Sequence, residues 1–299
     1  MAKDKWEEKI QDVEAGFTPY LPKEEGYAKT VLEAMNYSIQ AGGKRLRPMF
    51  LYETFLMLGG EDEKAVRPFM MAMEMIHTYS LVHDDLPAMD NDDYRRGKLT
   101  THKKYGEAMG ILTGDALLNA AYETAFLAFD SDTPPDRIGR ALRVLGHKAG
   151  IYGMVGGQVV DVENNGSFVE ENMLHYVYKN KTAALIEGSL MIGGILAGAG
   201  EEKIQALEEI GTYIGLAFQI QDDILDIVGE EDVIGKPVHS DEKNEKSTYV
   251  AMHGLETSRQ KVREYTKQGI ETLNDISVKR ENDKEFLSEI LLSLVEREK

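Results

Sequence analysis

Apolar residues recur at three- and four-residue spacing along most of this chain, as in Leu112-Ala116-Leu117-Ala120-Ala121 and Leu174-Val177-Tyr178-Leu185. That period belongs to amphipathic helices. Prolines fall at 19, 22, 48, 68, 87, 134, 135 and 237, which leaves long stretches free of helix breakers. Ser167 with Glu170, and Thr257 with Gln260, have the spacing of capping boxes and predict helix starts. Alternating β-branched runs bounded by hairpin turns are missing. The run Leu190–Gly200 reads as a buried helix segment, well short of the ~18 apolar residues that span a bilayer. Loops are expected at residues 131–136, 161–166 and 230–246, none of them a domain linker. These patterns predict an all-α fold with residues 1–299 in one large domain.

Composition narrows the function. With 34 Lys+Arg against 52 Asp+Glu, the formal net charge is -18. A field of that sign repels nucleic acid and anionic membrane surfaces. There is no cysteine, which excludes disulfides and thiolate zinc sites. Met1–Gln11 is charged and lacks the apolar run of a signal peptide. The expectation is a cytoplasmic protein with no membrane span and no nucleic-acid partner.

Two acidic clusters stand out. The helical stretch Phe69–Asp85 ends in Asp84-Asp85, followed by Leu86-Pro87. A residue before proline is pushed out of the helical region, so the helix is expected to end near Asp85. In an unbroken helix Asp84 and Asp90 would point about 120° apart; the break lets Asp90 swing back. Carboxylates oppose the dipole at a helix C-terminus. Two such charges about 4 Å apart also repel by roughly 4 kcal/mol at an effective dielectric of 20. A hard divalent cation would compensate, although a solvated acidic turn is the plain alternative. A basic block, Arg95-Arg96-Gly97-Lys98, follows directly. It suits an anion held partly by metal and partly by guanidinium, or else a surface salt-bridge network.

In the second cluster Asp222, Asp223 and Asp226 lie three, four and seven residues beyond Gln219, on one helix face. Ile220, Ile224, Leu225 and Ile227 fill the other sides, which predicts burial. Three carboxylates there need a partner, either a metal or a Lys/Arg network. Together the clusters suggest two carboxylate walls with magnesium ions bridging a diphosphate between them.

These motifs resemble those of the trans-isoprenyl diphosphate synthases, closest to the bacterial farnesyl diphosphate synthases. The resemblance runs from Gly42-Gly43-Lys44-Arg45-Leu46-Arg47-Pro48 to Lys246. It takes in Asp84-Asp85-Leu86-Pro87-Ala88-Met89-Asp90 and Asp222-Asp223-Ile224-Leu225-Asp226. Gly114-Asp115, Gly157-Gln158 with Asp161, Lys181-Thr182, and Gly235-Lys236 followed by Asp241 also match. The resemblance implies a helical bundle around a deep cavity, usually a homodimer, with two to three magnesium ions per site. It implies that Asp84, Asp85, Asp90, Asp222, Asp223 and Asp226 surround those ions. Arg95, Lys181 and Lys236 would hold the allylic diphosphate, with Lys246 on the same charged stretch. Lys44, Arg47, His77 and Arg96 would hold the isopentenyl diphosphate, and Thr182 and Gln219 would sit near the developing cation. The implied reaction joins isopentenyl diphosphate to dimethylallyl and then geranyl diphosphate, giving farnesyl diphosphate and pyrophosphate.

By the same resemblance Tyr79 is the floor that stops growth at fifteen carbons. Helix geometry favours Ser80, about 40° from Asp84 where Tyr79 is about 140° away. A homologous synthase with ten- or twenty-carbon products is the main rival, and a non-catalytic partner subunit the rival of another class. A P-loop at Gly229…Gly235-Lys236 is rejected, because Pro237 stands where Ser or Thr should bind magnesium. His83-Asp84 lacks other histidines at ligand spacing for a metal phosphohydrolase. A terpene cyclase would need neither Asp222-Asp223-Ile224-Leu225-Asp226 nor the Lys44/Arg47 set.

Overall fold

The computed structural model describes residues 3–228 and 247–295. Helices α1 (Lys3–Phe17), α2 (Lys29–Ile39), α3 (Leu46–Met57) and α4 (Glu63–Asp84) come first. Strands β1 (Tyr94–Arg95) and β2 (Lys98–Leu99) then form a two-residue antiparallel ladder. Helices α5 (Thr101–Tyr105), α6 (Glu107–Phe126), α7 (Pro135–Ala149), α8 (Met154–Glu163) and α9 (Glu171–Val177) follow. A π-helical turn, Tyr178–Ala183, joins α9 to α10 (Ala184–Leu196). The remaining helices are α11 (Glu201–Val228), α12 (Tyr249–His253), α13 (Leu255–Asp275) and α14 (Glu281–Val295). The fold is all-α, as the apolar spacing predicts, and the short hairpin is the one β ladder among the described residues.

The chain divides into two units, residues 1–52 with 62–142 and residues 53–61 with 143–299. In the first, α4 packs on α6 and α2. Phe69, Met71 and Met73 of α4 have no exposed surface, so the middle of this helix is buried on more than one side. In the second, α11 packs on α13 and α10, and α10 is buried along its whole length. Each unit's buried helix carries one buried glutamate matched to a cation. Glu74 of α4 accepts from Arg45 at 2.6 Å. Glu187 of α10 accepts from Lys148, which also reaches Glu208 at 2.6 Å. Unpaired, either carboxylate would be strongly unfavourable there.

Three expectations are corrected. Helix α9 starts at Glu171 with Glu170 as its N-cap, so Ser167 does not cap it. Helix α13 starts at Leu255 on Gly254, whose φ of 78° suits glycine, and Thr257 lies inside the helix. Ile227 is 42% exposed, unlike Ile220, Ile224 and Leu225, because it lies in the last turn of α11. No helix among the described residues is long and apolar enough to cross a membrane.

Candidate active site

Helix α4 ends at Asp84, and the chain turns at once through Leu86 and Pro87. The Asp90 amide donates to the Asp84 carbonyl at 2.9 Å, and the Asn91 amide to the Leu86 carbonyl at 3.1 Å. The expected break therefore brings the Asp90 main chain back to the helix end and satisfies carbonyls that the helix leaves open. Asp90 is exposed, Asp84 half-buried and Asp85 buried. Arg95 places both Nε and Nη2 at 2.6 Å from Asp85 Oδ1. Burial nevertheless dominates and pushes the Asp85 carboxyl up to about 6, against the pull of Arg95.

Arg95 is aimed by the hairpin. Its two-residue turn, Arg96 and Gly97, has φ of 52° and 74°, the double positive φ of a type I′ turn. The Arg96 guanidinium donates to the Gly42 carbonyl. Gly43 has φ of 138°, and a Cβ there would lie 2.6 Å from Arg96 Nη1, so glycine is required for this approach.

Arginines gather around His77 in the same unit. Arg47 Nη1 lies 3.4 Å from His77 Nε2. Arg47 Nε is buried with no hydrogen-bond partner. Burial, opposed by Glu74 and reinforced by Arg96, brings the Arg47 guanidinium down to about 10. His77 is held well below its usual range by burial and then by Arg47, Arg96, Arg95 and Arg45, so it is neutral near pH 7. Crowded guanidiniums with an unsatisfied N–H fit an oxyanion. Lys44 is exposed beside Gly43, whereas Arg45 between Lys44 and Arg47 turns inward to Glu74, Glu14 and the Ile39 carbonyl.

The second unit presents the other cluster. Lys181 and Thr182 ride on the π turn, a local form frequent at functional sites. Lys181 Nζ lies 2.6 Å from Asp161 Oδ2. Thr182 donates to Gln219 Oε1 at 2.8 Å, and Gln219 Nε2 donates to Asp223 Oδ1 at 3.4 Å. Asp223 is buried, with Tyr178 and the Tyr249 amide as donors to Oδ2, while Asp222 and Asp226 are half-buried. The structure therefore brings Thr182, Gln219 and Asp223 together. Lys236 and Lys246 lie outside the described residues, as does the whole stretch 230–246. A surface cavity of about 420 Å³, lined by Gln221, Val262 and Leu292 among others, holds none of the predicted residues.

Tyr79 is buried and meets His83 edge-on at 5.9 Å. Burial, then Tyr122 and Asp84, raise its pKa. The Ser80 hydroxyl donates to the His77 carbonyl at 2.9 Å. Tyr178 and Arg45 are participants the sequence did not reveal. The only signal for Arg45 was its place in a basic run.

Among the described residues no three His, Cys, Asp or Glu side chains converge as a ready metal cage. Magnesium needs none, since it is commonly bound through one or two carboxylates plus substrate phosphates and water. The all-oxygen donors of both acidic motifs fit that cation.

The fold and these clusters define a class: an all-α protein in which an arginine cluster adjoins an acidic motif and a second acidic motif lies on a separate helix. The polyprenyl synthetase family model matches residues 28–286. A farnesyl diphosphate synthase of Geobacillus stearothermophilus is 46% identical over 255 residues, 85% of each chain. A geranylgeranyl diphosphate synthase of Cyanophora paradoxa is 42% identical over 252 residues, 83% of each. A geranyltransferase structure from Helicobacter pylori, complexed with magnesium and isoprenyl diphosphate, superposes with a TM-score of 0.83 at 28% identity. It covers 98% of this chain and 95% of that one. The chain belongs to the polyprenyl synthetase family.

Proposed function

We propose that this protein is a magnesium-dependent trans-prenyltransferase that condenses isopentenyl diphosphate with dimethylallyl and then geranyl diphosphate to give farnesyl diphosphate. The observation that carries the reading is the Arg47–His77–Arg96 cluster beside Asp84, Asp85 and Asp90. It is a cationic seat for one diphosphate next to hard oxygen donors suited to a metal-bound second one. Asp84, Asp85, Asp90, Asp222, Asp223 and Asp226 would hold the magnesium ions, some of them through water. Asp85, which accepts from Arg95, and Asp223, which accepts from Tyr178 and Gln219, would in addition orient their motifs. When bound, the metal neutralises charge on the departing diphosphate. Lys44, Arg47 and Arg96 hold the isopentenyl diphosphate, and neutral His77 hydrogen-bonds to it. Arg95, Lys181, Lys236 and Lys246 hold the allylic diphosphate. The Thr182 and Gln219 oxygens face the developing allylic cation, and apolar walls exclude water that would quench it. Tyr79, with Ser80 beside it, closes the pocket at fifteen carbons.

Both partner substrates are small diphosphates, and the protein acts in the cytoplasm as a homodimer. Supporting the dimer, Ile111, Leu112, Phe126 and Leu127 of and after α6 are each more than 40% exposed, an apolar row that a second copy would cover. Light scattering should give twice the 33.5 kDa chain mass; a monomer at micromolar concentration would refute it. Calorimetry with an unreactive thiolodiphosphate analogue of geranyl diphosphate tests the site. Binding should require magnesium, and equal affinity with chelator present would refute the metal role.

A further inference from the structure

Four polar side chains in the second unit form a ladder. Tyr178 and Thr182 are four residues apart on the π turn, and Gln219 and Asp223 four apart on α11. Thr182 meets Gln219, Gln219 meets Asp223, and the Tyr178 hydroxyl donates to Asp223 Oδ2. A third donor arrives from elsewhere in the chain. The Tyr249 amide lies 3.1 Å from Asp223 Oδ2 and 3.2 Å from the Tyr178 hydroxyl oxygen, so the pair shares it. Tyr249 is the first residue of α12, and Thr248 caps that helix by accepting from the Ala251 amide at 3.1 Å. Ser247 is tied as well, donating to the Ser167 carbonyl at 3.1 Å.

Tyr178 is 7% exposed and Asp223 3%. Hydrogen bonds to a carboxylate in such surroundings are short and strong, and they fix its rotamer. A phenol serving only as packing would need no hydroxyl at this place.

We propose that Tyr178 is a positioning residue. Its hydroxyl sets the direction of the Asp223 carboxylate, and by sharing the Tyr249 amide it tethers the start of α12 to the second acidic motif. The role toward magnesium rests on the function proposed above; the tether does not.

Tyr178→Phe keeps the ring and removes the hydroxyl. Hydrogen exchange at the Tyr249 amide, without ligand, should speed up about tenfold, the worth of one hydrogen bond to a charged group. The magnesium concentration for half-maximal binding of the thiolodiphosphate analogue should rise by about the same factor. Isopentenyl diphosphate binding should not change. Unchanged exchange would overturn the tether, and an unchanged magnesium requirement would overturn the positioning role. Asp223→Ala removes both carboxylate acceptors and should also release the Tyr249 amide, and it provides the same exchange readout if Tyr178→Phe folds poorly. If wild-type protein binds no analogue in magnesium, the proposed function and the positioning role fall together, while exchange still decides the tether.

Discussion

Arg45 supports the loop that presents Lys44 and Arg47, and its removal should have a large effect on stability. Its side chain is 3% exposed and that of its partner Glu74 4% exposed, with 2.6 Å between them. Two further contacts, to Glu14 at 3.0 Å and to the Ile39 carbonyl at 2.8 Å, complete its hydrogen bonding. Arg45→Met would leave Glu74 charged in the core without its hydrogen-bonded partner, with only the charges of Arg47 and Arg96 acting on it from further off. Breaking one side of a buried pair costs about 3–5 kcal/mol, which for a chain of this size lowers Tm by about 10 °C. Removing both charges is a different perturbation, because the desolvation penalty disappears with them. Arg45→Met/Glu74→Leu should therefore recover most of the loss. Thermal unfolding followed by circular dichroism reads both variants. An Arg45→Met variant within about 1 kcal/mol of wild type, or a double variant worse than the single, would refute the assignment of this pair as the anchor.

Asp84→Ala and Asp222→Ala should each lower turnover by about 10²-fold or more, the scale of losing a preorganised charge-stabilising group; steady-state assay in saturating magnesium checks this, and wild-type turnover would count against metal ligation. In metal-free protein Asp85 should titrate near 6, as read by carbon-13 NMR of its carboxyl. Its folded pKa lies above the unfolded value, so its contribution to stability falls as pH rises from about 4 to about 6; a midpoint below 4 would show that Arg95 outweighs burial. Tyr79→Ala should lengthen the main product beyond fifteen carbons by mass spectrometry, and an unchanged product would remove Tyr79 as the floor.

Much of the site was legible because it depends on local rules. Pro87 forces α4 to stop, and the Asp90 amide closing on the Asp84 carbonyl follows from that stop. The three-, four- and seven-residue spacing from Gln219 places its side chain against Asp223 on α11. What escaped the sequence depends on contacts distant along the chain. Lys44, Arg45 and Arg47 form one basic run, and it is Glu74, 29 residues away, together with Glu14 and the Ile39 carbonyl, that selects Arg45 for the interior. The π turn at Tyr178–Ala183 shifts the helical phase without a proline or glycine to announce it. The hairpin puts Arg96 at positive φ, a place that propensity would give to Asn or Gly. The capping-box spacing at Ser167 and Thr257 misplaced two helix starts by about three residues, because a four-residue pattern also recurs by chance just before or inside a helix.

The most direct test of the central claim is incubation of the purified protein with magnesium, isopentenyl diphosphate and dimethylallyl diphosphate, followed by identification of the products by mass. The account predicts a fifteen-carbon diphosphate whose formation stops when magnesium is chelated. Twenty carbons would keep the prenyl transfer and contradict the short pocket, and no product, with geranyl diphosphate also refused, would contradict the proposed activity itself.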